Sequence, residues 1–160
     1  EWGKATKRVS EAGIRVVNLR FGMVLSPLGG ALKKFVLPAK MGVGGKLGNG
    51  KNLISWISME DVLGVVTHCV TNEAISGPLN VVANDMYTNK RLIQTICKVL
   101  KRPCLFPVPA FVLIFMFGKQ MAKETIFVST SVSNSKLIDS GYKFKFPELE
   151  SALRHMLGKV

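Results

Sequence analysis

The sequence predicts an α/β fold. Segments of alternating β-branched residues follow segments with helical periodicity along the first two thirds of the chain, which is typical of a sheet covered by helices. Serine or threonine residues precede the helical patterns, and glycine or proline residues end them. With 48% hydrophobic residues, the 160-residue chain is long enough to bury a substantial core.

The chain begins with a polar helical pattern over Glu1–Ala12. Because the first residue is glutamate and the pattern starts inside an element, we expect the chain to be a piece of a longer protein. Gly13 ends this helix. The residues Ile14–Arg20 then predict a buried strand that stops at Gly22.

A second helix is expected over Ala31–Lys40, after a pair of glycines. Its predicted apolar side consists of Leu32, Phe35, Val36 and Leu37. The following segment, Gly42–Gly50, is too rich in glycine for a regular helix or strand. Leu53–Ile57 predicts a short strand beyond it.

Ser58 and Asp61 form a capping box, because a hydroxyl and a carboxylate three residues apart can each accept from a free backbone N–H. We expect a helix from there to about Thr71, and Asp61 is assigned only this capping role. The predicted buried stripe of the helix consists of Val62, Val65, Val66, Cys69 and Val70. Pro78–Ala83 predicts a further strand.

Thr88 is expected to cap a helix that continues to about Leu100 and is stopped by Pro103. Beyond it, the pattern predicts a small α-rich cap with helices over residues 110–117, 119–127 and 134–140 and a strand over residues 128–132. A last helix follows Pro147. Its inward side is predicted to consist of Leu149, Ala152, Leu153 and Met156.

The formal net charge of +12 suits an anionic partner. However, the lysines and arginines occur singly or in pairs, without the blocks or the interleaved aromatic residues that are typical of RNA-binding proteins. We therefore predict a solvated basic surface and no nucleic-acid partner. A nucleic-acid-binding module remains the least favoured of three functions.

The cysteines are too far apart to form a Cys-x-x-Cys pair, and we interpret them as reduced core residues of a cytoplasmic protein. They are Cys69, Cys97 and Cys104. With two histidines besides, no metal site is predicted. The longest apolar run, Leu105–Phe117, falls short of the roughly 20 residues of a membrane-spanning helix, so no span is expected.

The glycine-dense segment partly matches a phosphate-binding loop, since Gly45, Gly50 and Lys51 fit the pattern Gly-x-x-x-x-Gly-Lys. Asn52 stands where a serine or threonine must bind magnesium. The next residues also continue as a strand, whereas a phosphate-binding loop leads into a helix. Binding of ATP or GTP is therefore not predicted.

An ordered set of short motifs runs through the whole chain. It includes Gly13-Ile14-Arg15-Val16-Val17, Leu19-Arg20-x-Gly22-x-Val24-Leu25-Ser26-Pro27, Gly42-x-Gly44-Gly45-x-Leu47-Gly48-x-Gly50, Ser55-Trp56-Ile57-x-x-x-Asp61, Ser76-Gly77-Pro78-x-Asn80, Arg102-Pro103, Pro107-Val108-Pro109 and Gly141-Tyr142-x-Phe144-x-Phe146-Pro147. Together these resemble the atypical extended short-chain dehydrogenase/reductase proteins called "epimerase family", with their C-terminal extension of unknown function.

The resemblance implies the C-terminal half of an NAD(P)-binding Rossmann-like fold, with residues 1–103 in that fold and residues 104–160 in an α-rich extension. It also implies NAD or NADP as the cofactor of the full-length protein. The glycine fingerprint and the Tyr-x-x-x-Lys pair of that family are absent from this chain, so no catalytic residue is assigned and the chain alone is expected to be inactive.

Ligands of open α/β sheets bind beyond the carboxyl ends of the strands. We therefore expect the segment from Phe21 to Pro27 to form a loop beside the nicotinamide. The predicted cofactor-binding residues are Arg20, Phe21, Gly22, Val24 and Leu25. The predicted substrate-binding residues are Ser26, Gly44, Gly45 and Trp56. Arg20 could equally form a structural ion pair, and core packing is the favoured alternative for Trp56.

Two departures from the family pattern bear on the substrate. Sugar-nucleotide epimerases of similar fold commonly have an arginine where this chain has Ser55, so a nucleotide-sugar substrate is less favoured. A histidine of the pattern is replaced by Ser58. The substrate stays unidentified.

The leading hypothesis is an NAD(P)-dependent oxidoreductase or epimerase-like protein when full length. The alternative is a non-enzymatic regulatory or interaction protein related to cell division, with Phe111–Phe117 as a partner surface. A missing half of the sheet would leave an open strand edge beside Ile14–Arg20, and we expect homo-oligomers to form through it.

Overall fold

A computed structural model describes residues 6–42, 50–104, 118 and 132–159. Strands and helices alternate within these ranges. The strands are β1 (Val17–Phe21), β2 (Met23–Ser26), β3 (Leu53–Ile54), β4 (Trp56–Ser58), β5 (Gly77–Val81) and β6 (Tyr87–Thr88). The helices are α1 (Lys7–Glu11), α2 (Gly30–Lys40), α3 (Met59–Thr71), α4 (Asn89–Leu100), α5 (Ser135–Asp139) and α6 (Leu149–Met156).

The strands form three pairs, and the two central pairs are parallel. β1 pairs with β5 over its whole length, with Leu19 opposite Leu79. β2 pairs with β4, and Val24 lies opposite Ile57. β3 and β6 form a short antiparallel pair. The parallel pairing, with helices α3 and α4 between strands, confirms the predicted α/β class.

β1 ends at Phe21, directly before Gly22, as the sequence suggested, but a second strand follows at once. The segment expected to be a loop from Phe21 to Pro27 contains β2, so that prediction is wrong. The chain passes through Gly22 and exchanges one strand partner, β5, for another, β4. Glycine is needed there because a Cβ atom would lie 2.5 Å from the carbonyl oxygen of Ser55 and 2.9 Å from Val82.

The strand predicted over Leu53–Ile57 is divided at Ser55. On one side of it β3 pairs with β6, and on the other side β4 pairs with β2. The backbone oxygen of Ser55 accepts a hydrogen bond from the N–H of Met23 at 2.8 Å. The break therefore lets one segment join two strand pairs, which a periodicity argument could not detect.

Two hydrophobic clusters fill the described part of the chain. The larger one joins α2, α4 and α6 to β4, and its fully buried members include Leu32, Trp56 and Ile96. The smaller one lies between α3 and the β1–β5 pair and contains Val65 and Leu79. The predicted inward side of α6 is confirmed, because all four of its residues are buried.

Two predicted apolar sides are only partly buried. Val65 and Cys69 of α3 are buried, but Val66 is 39% exposed and Val70 is 69% exposed. Leu37 of α2 is 57% exposed. The predictions for these three exposed residues are wrong, because the apolar arc of each helix is wider than the surface against which the helix packs.

The side chain of Arg15 caps the carboxyl end of α3, although Arg15 is not part of the helix. Its guanidinium donates hydrogen bonds to the carbonyl oxygens of Cys69 at 2.8 Å and Ile75 at 3.0 Å. The last carbonyls of a helix have no partner within it, and a cation there also opposes the negative end of the helix dipole. Arg15 therefore attaches the end of α3 to the residues just before β1.

Several predicted elements lie outside the described residues. These are the start of the first helix, most of the glycine-dense segment, the helices over residues 110–117 and 119–127, and the first four residues of the strand over residues 128–132. The division of the chain at residue 103 likewise stays a prediction.

The close approach at Gly22 can be tested by replacing it with alanine. We expect Gly22→Ala to lower the free energy of unfolding by about 1–3 kcal/mol, because Ser55 and Val82 must move. Urea denaturation measures the change. Gly29→Ala is the matched control, since a Cβ atom there meets nothing within 4 Å and the backbone is extended. Equal losses in the two variants would contradict the steric explanation.

Candidate functional site

The carboxyl ends of β1 and β5 meet at one edge of the sheet, where three backbone hydrogen bonds lie at the junction of the two parallel pairs. The N–H of Gly22 donates to Val81 at 3.3 Å, and the N–H of Ala83 donates to Trp56 at 2.7 Å. The third is the Met23–Ser55 bond described above. This carboxyl edge is the usual position for ligands in parallel α/β sheets.

The five predicted cofactor-binding residues are adjacent along the carboxyl edge but differ in exposure. Arg20 is exposed, and Phe21 is 46% exposed. Gly22 and Val24 are half-buried, and Leu25 is fully buried in the larger core cluster. A cofactor contact stays a prediction for all five, and the exposed pair Arg20 and Phe21 offers the most accessible surface.

The predicted substrate-binding residues are not brought together. Half-buried Ser26 uses its hydroxyl oxygen to accept from the N–H of Leu28 at 3.3 Å, within a turn. Gly44 and Gly45 lie outside the described residues. Trp56 is 1% exposed and packs in the core, while its indole N–H has no hydrogen-bond partner among the described residues. Their role in substrate binding stays a prediction.

Asp61 holds a buried polar centre that the sequence analysis reduced to a helix cap. The cap itself is present, since Ser58 accepts from the N–H of Asp61 at 2.9 Å. In addition, the Asp61 carboxylate accepts hydrogen bonds from the hydroxyls of Ser58 at 2.7 Å and Tyr142 at 3.1 Å. It also accepts from the N–H groups of Lys145 at 2.7 Å and Phe146 at 3.2 Å.

These contacts attach the start of α3 to the segment between α5 and α6. Tyr142 lies so close to α3 that a Cβ atom on Gly64 would collide with its hydroxyl. Burial, and next the Asp61 carboxylate, raise the pKa of Tyr142 well above its ordinary value of 10.0. The aspartate and tyrosine of two separate family motifs are thus partners in one structural centre.

His68 and Ser140 are close enough to suggest a nucleophilic pair, with 3.0 Å between Nε2 and the hydroxyl oxygen. However, the Ser140 hydroxyl donates to the carbonyl of Leu137 at 2.6 Å. The proton of the serine therefore points away from the histidine, which is the reverse of what a general base requires. The pair fastens α3 to the end of α5.

The buried thiols lack the low pKa of a reactive cysteine. Burial raises the pKa of Cys97 to about 12, and it also raises the pKa of Cys69 despite the nearby Arg15. Within residues 6–42, 50–104 and 132–159, no group of three or more histidine, cysteine, aspartate or glutamate side chains could hold a metal ion. No described helix is long and apolar enough to cross a membrane.

A charged groove of about 460 Å³ lies between α4 and the start of α6. Arg91 covers the ring of Tyr87 at 4.9 Å, and Lys98 pairs with Glu150 at 2.7 Å. Hydrogen bonds from Lys98 and Arg154 lower the pKa of Glu150. The groove is lined by both cations and anions, namely Arg91, Lys98, Asp85, Glu148 and Glu150, so it presents no single charge to a ligand.

The chain is similar to several curated proteins over nearly all of its length. It is 36% identical to the epimerase family protein YfhF of Bacillus subtilis (strain 168) over 156 residues, which are 98% of this chain and 50% of YfhF. It is 33% identical to the epimerase family protein SDR39U1 of Homo sapiens over 154 residues, which are 96% of this chain and 52% of SDR39U1. The chain is a homologue of the epimerase family proteins.

Solved structures agree with this homology. The human epimerase family protein SDR39U1 (isoform 2) with NADPH superposes with a TM-score of 0.83 and 33% identity, over 92% of this chain and 50% of that one. A nucleoside-diphosphate sugar epimerase from Corynebacterium glutamicum gives a TM-score of 0.76 and 27% identity, over 98% of this chain and 29% of that one. The Rossmann-like architecture is thereby confirmed.

Residues 108–156 match the family described as Domain of unknown function (DUF1731). The chain spans about half the length of the curated epimerase family proteins it matches.

The Asp61 centre predicts a large cost for an isosteric change. Asp61→Asn replaces one carboxylate oxygen with an NH₂ group that cannot accept, so buried N–H or hydroxyl donors lose their partner. We expect the free energy of unfolding to fall by about 2–4 kcal/mol, measured by denaturant titration. The control Glu150→Gln should have little effect, because its ion pairs lie at the surface. Similar losses in both variants would argue against the centre.

The raised pKa of Tyr142 predicts a loss of stability at alkaline pH. Above about pH 10 the unfolded chain releases the tyrosine proton while the folded chain retains it, so this contribution is complete below pH 10 and falls as the pH rises. Tyr142→Phe should remove this part of the decline. Unfolding curves of both proteins between pH 8 and about pH 11 measure it, and parallel declines would refute the prediction.

Proposed function

We propose that this chain forms the substrate-facing half of an NAD(P)-dependent, epimerase-like oxidoreductase of the extended short-chain dehydrogenase/reductase class. The observation that carries the proposal is the carboxyl edge of the parallel β1–β5 pair, where Arg20 and Phe21 are exposed. The 33% identical human relative, whose structure contains NADPH, supports NAD or NADP as the cofactor.

The exposed residues of this edge suit a dinucleotide. The ring of Phe21 offers a flat apolar surface for a heterocyclic ring, and the guanidinium of Arg20 offers hydrogen-bond donors to phosphate or ribose oxygens. Gly22 places backbone rather than a side chain next to this surface. Leu25 and Trp56 are buried, so they offer a ligand less surface than Arg20 and Phe21.

The cofactor supplies the site that gives or takes a hydride, and this chain supplies binding and orientation. Neither of its tyrosines is followed by lysine four residues later: Arg91 follows Tyr87 and Phe146 follows Tyr142. Moreover, the hydroxyl of Tyr142 donates a hydrogen bond to the Asp61 carboxylate in the interior. We therefore propose that the acid–base residues of the reaction belong to another part of a longer protein, and that the chain alone is inactive.

Two positions expected to face the substrate are less suited to a nucleotide sugar than those of the sugar-nucleotide epimerases. Ser55, which stands where those enzymes commonly have an arginine, is 4% exposed. Ser58, in the position of the family histidine, is fully buried and bound to Asp61. We propose a small substrate without a diphosphate group to be gripped at this position.

Titration of the full-length protein with NADPH and NADH, followed by cofactor fluorescence, tests the proposal. We expect binding, and we expect Phe21→Ala to weaken it about tenfold, equivalent to about 1.4 kcal/mol, through lost ring contact. Leu28→Ala is the control, because Leu28 is 92% exposed in the turn after β2. Absence of binding by the full-length protein would overturn the proposal and favour a non-enzymatic interaction protein.

A further inference from the structure

The thiols of Cys97 and Cys104 are in contact, although six residues separate them in the sequence. Cys97 lies in the last turn of α4, is 2% exposed and belongs to the larger hydrophobic cluster. Cys104 packs against the same cluster but is only partly buried. The thiol of Cys97 donates a hydrogen bond to the sulfur of Cys104. Both thiols are free in the structure, so they form a reduced pair.

The turn after α4 explains how Cys104 reaches Cys97. Lys101 follows the helix and has a left-handed backbone conformation with a φ of 53°. Its N–H donates to the carbonyl of Lys98 at 3.1 Å, and the N–H of Arg102 donates to the carbonyl of Cys97 at 3.0 Å. A left-handed residue at a helix end reverses the chain and fastens it to the last turn. Cys104 is thereby returned to the side of α4 that carries Cys97.

Neither a metal site nor simple core packing accounts for this arrangement. Two thiolates do not complete a metal site, and within the described residues no group of three or more metal-ligating side chains is found. Simple packing describes Cys69, which is buried in the smaller cluster, apart from the other two cysteines. Cys97 and Cys104 differ from it because they contact each other and because one of them is partly open to solvent.

The hydrogen bond between the two thiols distinguishes their roles. Burial, and next the hydrogen bond to Cys104, raise the pKa of Cys97 to about 12, so Cys97 retains its proton. Cys104 accepts that hydrogen bond and is the more accessible of the two. Oxidation of cysteine by small oxidants follows exposure as well as thiolate character. Cys104 is therefore the thiol that an oxidant reaches first, and Cys97 is poised to react second.

We propose that Cys104 and Cys97 are a redox-sensitive pair that forms an intramolecular disulfide on exposure to a peroxide. The sulfur of Cys104 attacks the peroxide, the O–O bond breaks, and the products are a sulfenic acid and an alcohol, or water in the case of hydrogen peroxide. The sulfur of Cys97 then attacks that of Cys104. The S–O bond breaks, and the proton of the Cys97 thiol leaves with the hydroxyl group as water. Two thiols and one peroxide thus give one disulfide, one alcohol and one water.

The disulfide would connect two parts of the chain reversibly. Thiols already in contact need only a small further approach to reach the S–S bond length of about 2.05 Å. The bond would tie the last turn of α4 to the segment that leads to residues 108–156, the part that matches DUF1731. A dithiol reductant would release it by exchange. The balance of peroxide and reductant would thereby control whether this connection is covalently fixed.

Peptide mapping of the full-length protein tests the proposal. The protein is treated with one equivalent of hydrogen peroxide, its remaining thiols are blocked with iodoacetamide in denaturant, and it is digested with trypsin without reductant. Trypsin cleaves between the two cysteines, so Cys97 lies in residues 92–98 and Cys104 in residues 102–119. We expect these two peptides to be joined by a bond that dithiothreitol removes.

Three alanine variants test the roles of the cysteines, with dimedone added to label sulfenic acids. Cys97→Ala should be labelled at residue 104, because no second thiol is present to displace the hydroxyl group. Cys104→Ala should be labelled at residue 97 about tenfold less or lower, because Cys97 is buried and protonated. Cys69→Ala is the matched control and should form the link as the wild type does. Thermal unfolding in reductant checks that each variant folds.

Absence of the linked peptides in the wild-type protein would overturn the proposal without reference to any variant. So would a link from Cys97 or Cys104 to another cysteine that exceeds the link between these two. Equal dimedone labelling of Cys97→Ala and Cys104→Ala would overturn the assigned order of reaction. None of these measurements requires NADPH or NADH, so their outcome is independent of the proposed function.

Discussion

The Asp61 carboxylate joins the start of α3 to the Tyr142–Phe146 segment, which lies more than 80 positions later in the chain. One residue of α3 accepts hydrogen bonds from the start of its own helix and from three positions between Tyr142 and Phe146. A buried carboxylate is costly unless several donors compensate it, and here four do. Together with the apolar packing of Val65 and Cys69, this compensation holds α3 between the β1–β5 pair and the Tyr142–Phe146 segment.

Local signals in the sequence located most of the regular elements. The capping residues Ser58 and Thr88 placed the starts of α3 and α4 correctly, because a cap is decided by its immediate neighbours. Strand β2 was missed for the opposite reason. Gly22 normally suggests the end of a strand, and only the positions of Ser55 and Val82 show that the missing side chain allows the chain to change strand partners. That information is tertiary and has no counterpart in a linear pattern.

In the candidate site, too, the sequence predicted what depends on local signals and missed what depends on tertiary contacts. The topological rule placed Arg20 and Phe21 at the carboxyl edge, and the structure exposes both. Leu25 and Trp56 are buried in the structure. The sequence could not decide this, because hydrophobicity alone does not distinguish a pocket wall from a core residue. Asp61 was assigned too small a role, since its partners Tyr142, Lys145 and Phe146 lie more than 80 positions away. The occurrence of Asp61 and Tyr142 in two matching family motifs was the available signal for their contact.

The separation between Asp61 and Tyr142 also bears on how the chain acquires its structure. The two residues are 81 positions apart, so the chain must close a long loop before the carboxylate gains its tyrosine partner. During synthesis, α3 is complete long before the Tyr142–Phe146 segment has been made. Until that segment has been made, the Asp61 carboxylate stays hydrated. Final closure of this region is therefore late relative to the formation of α3, because it requires residues that are made more than 80 positions after Asp61.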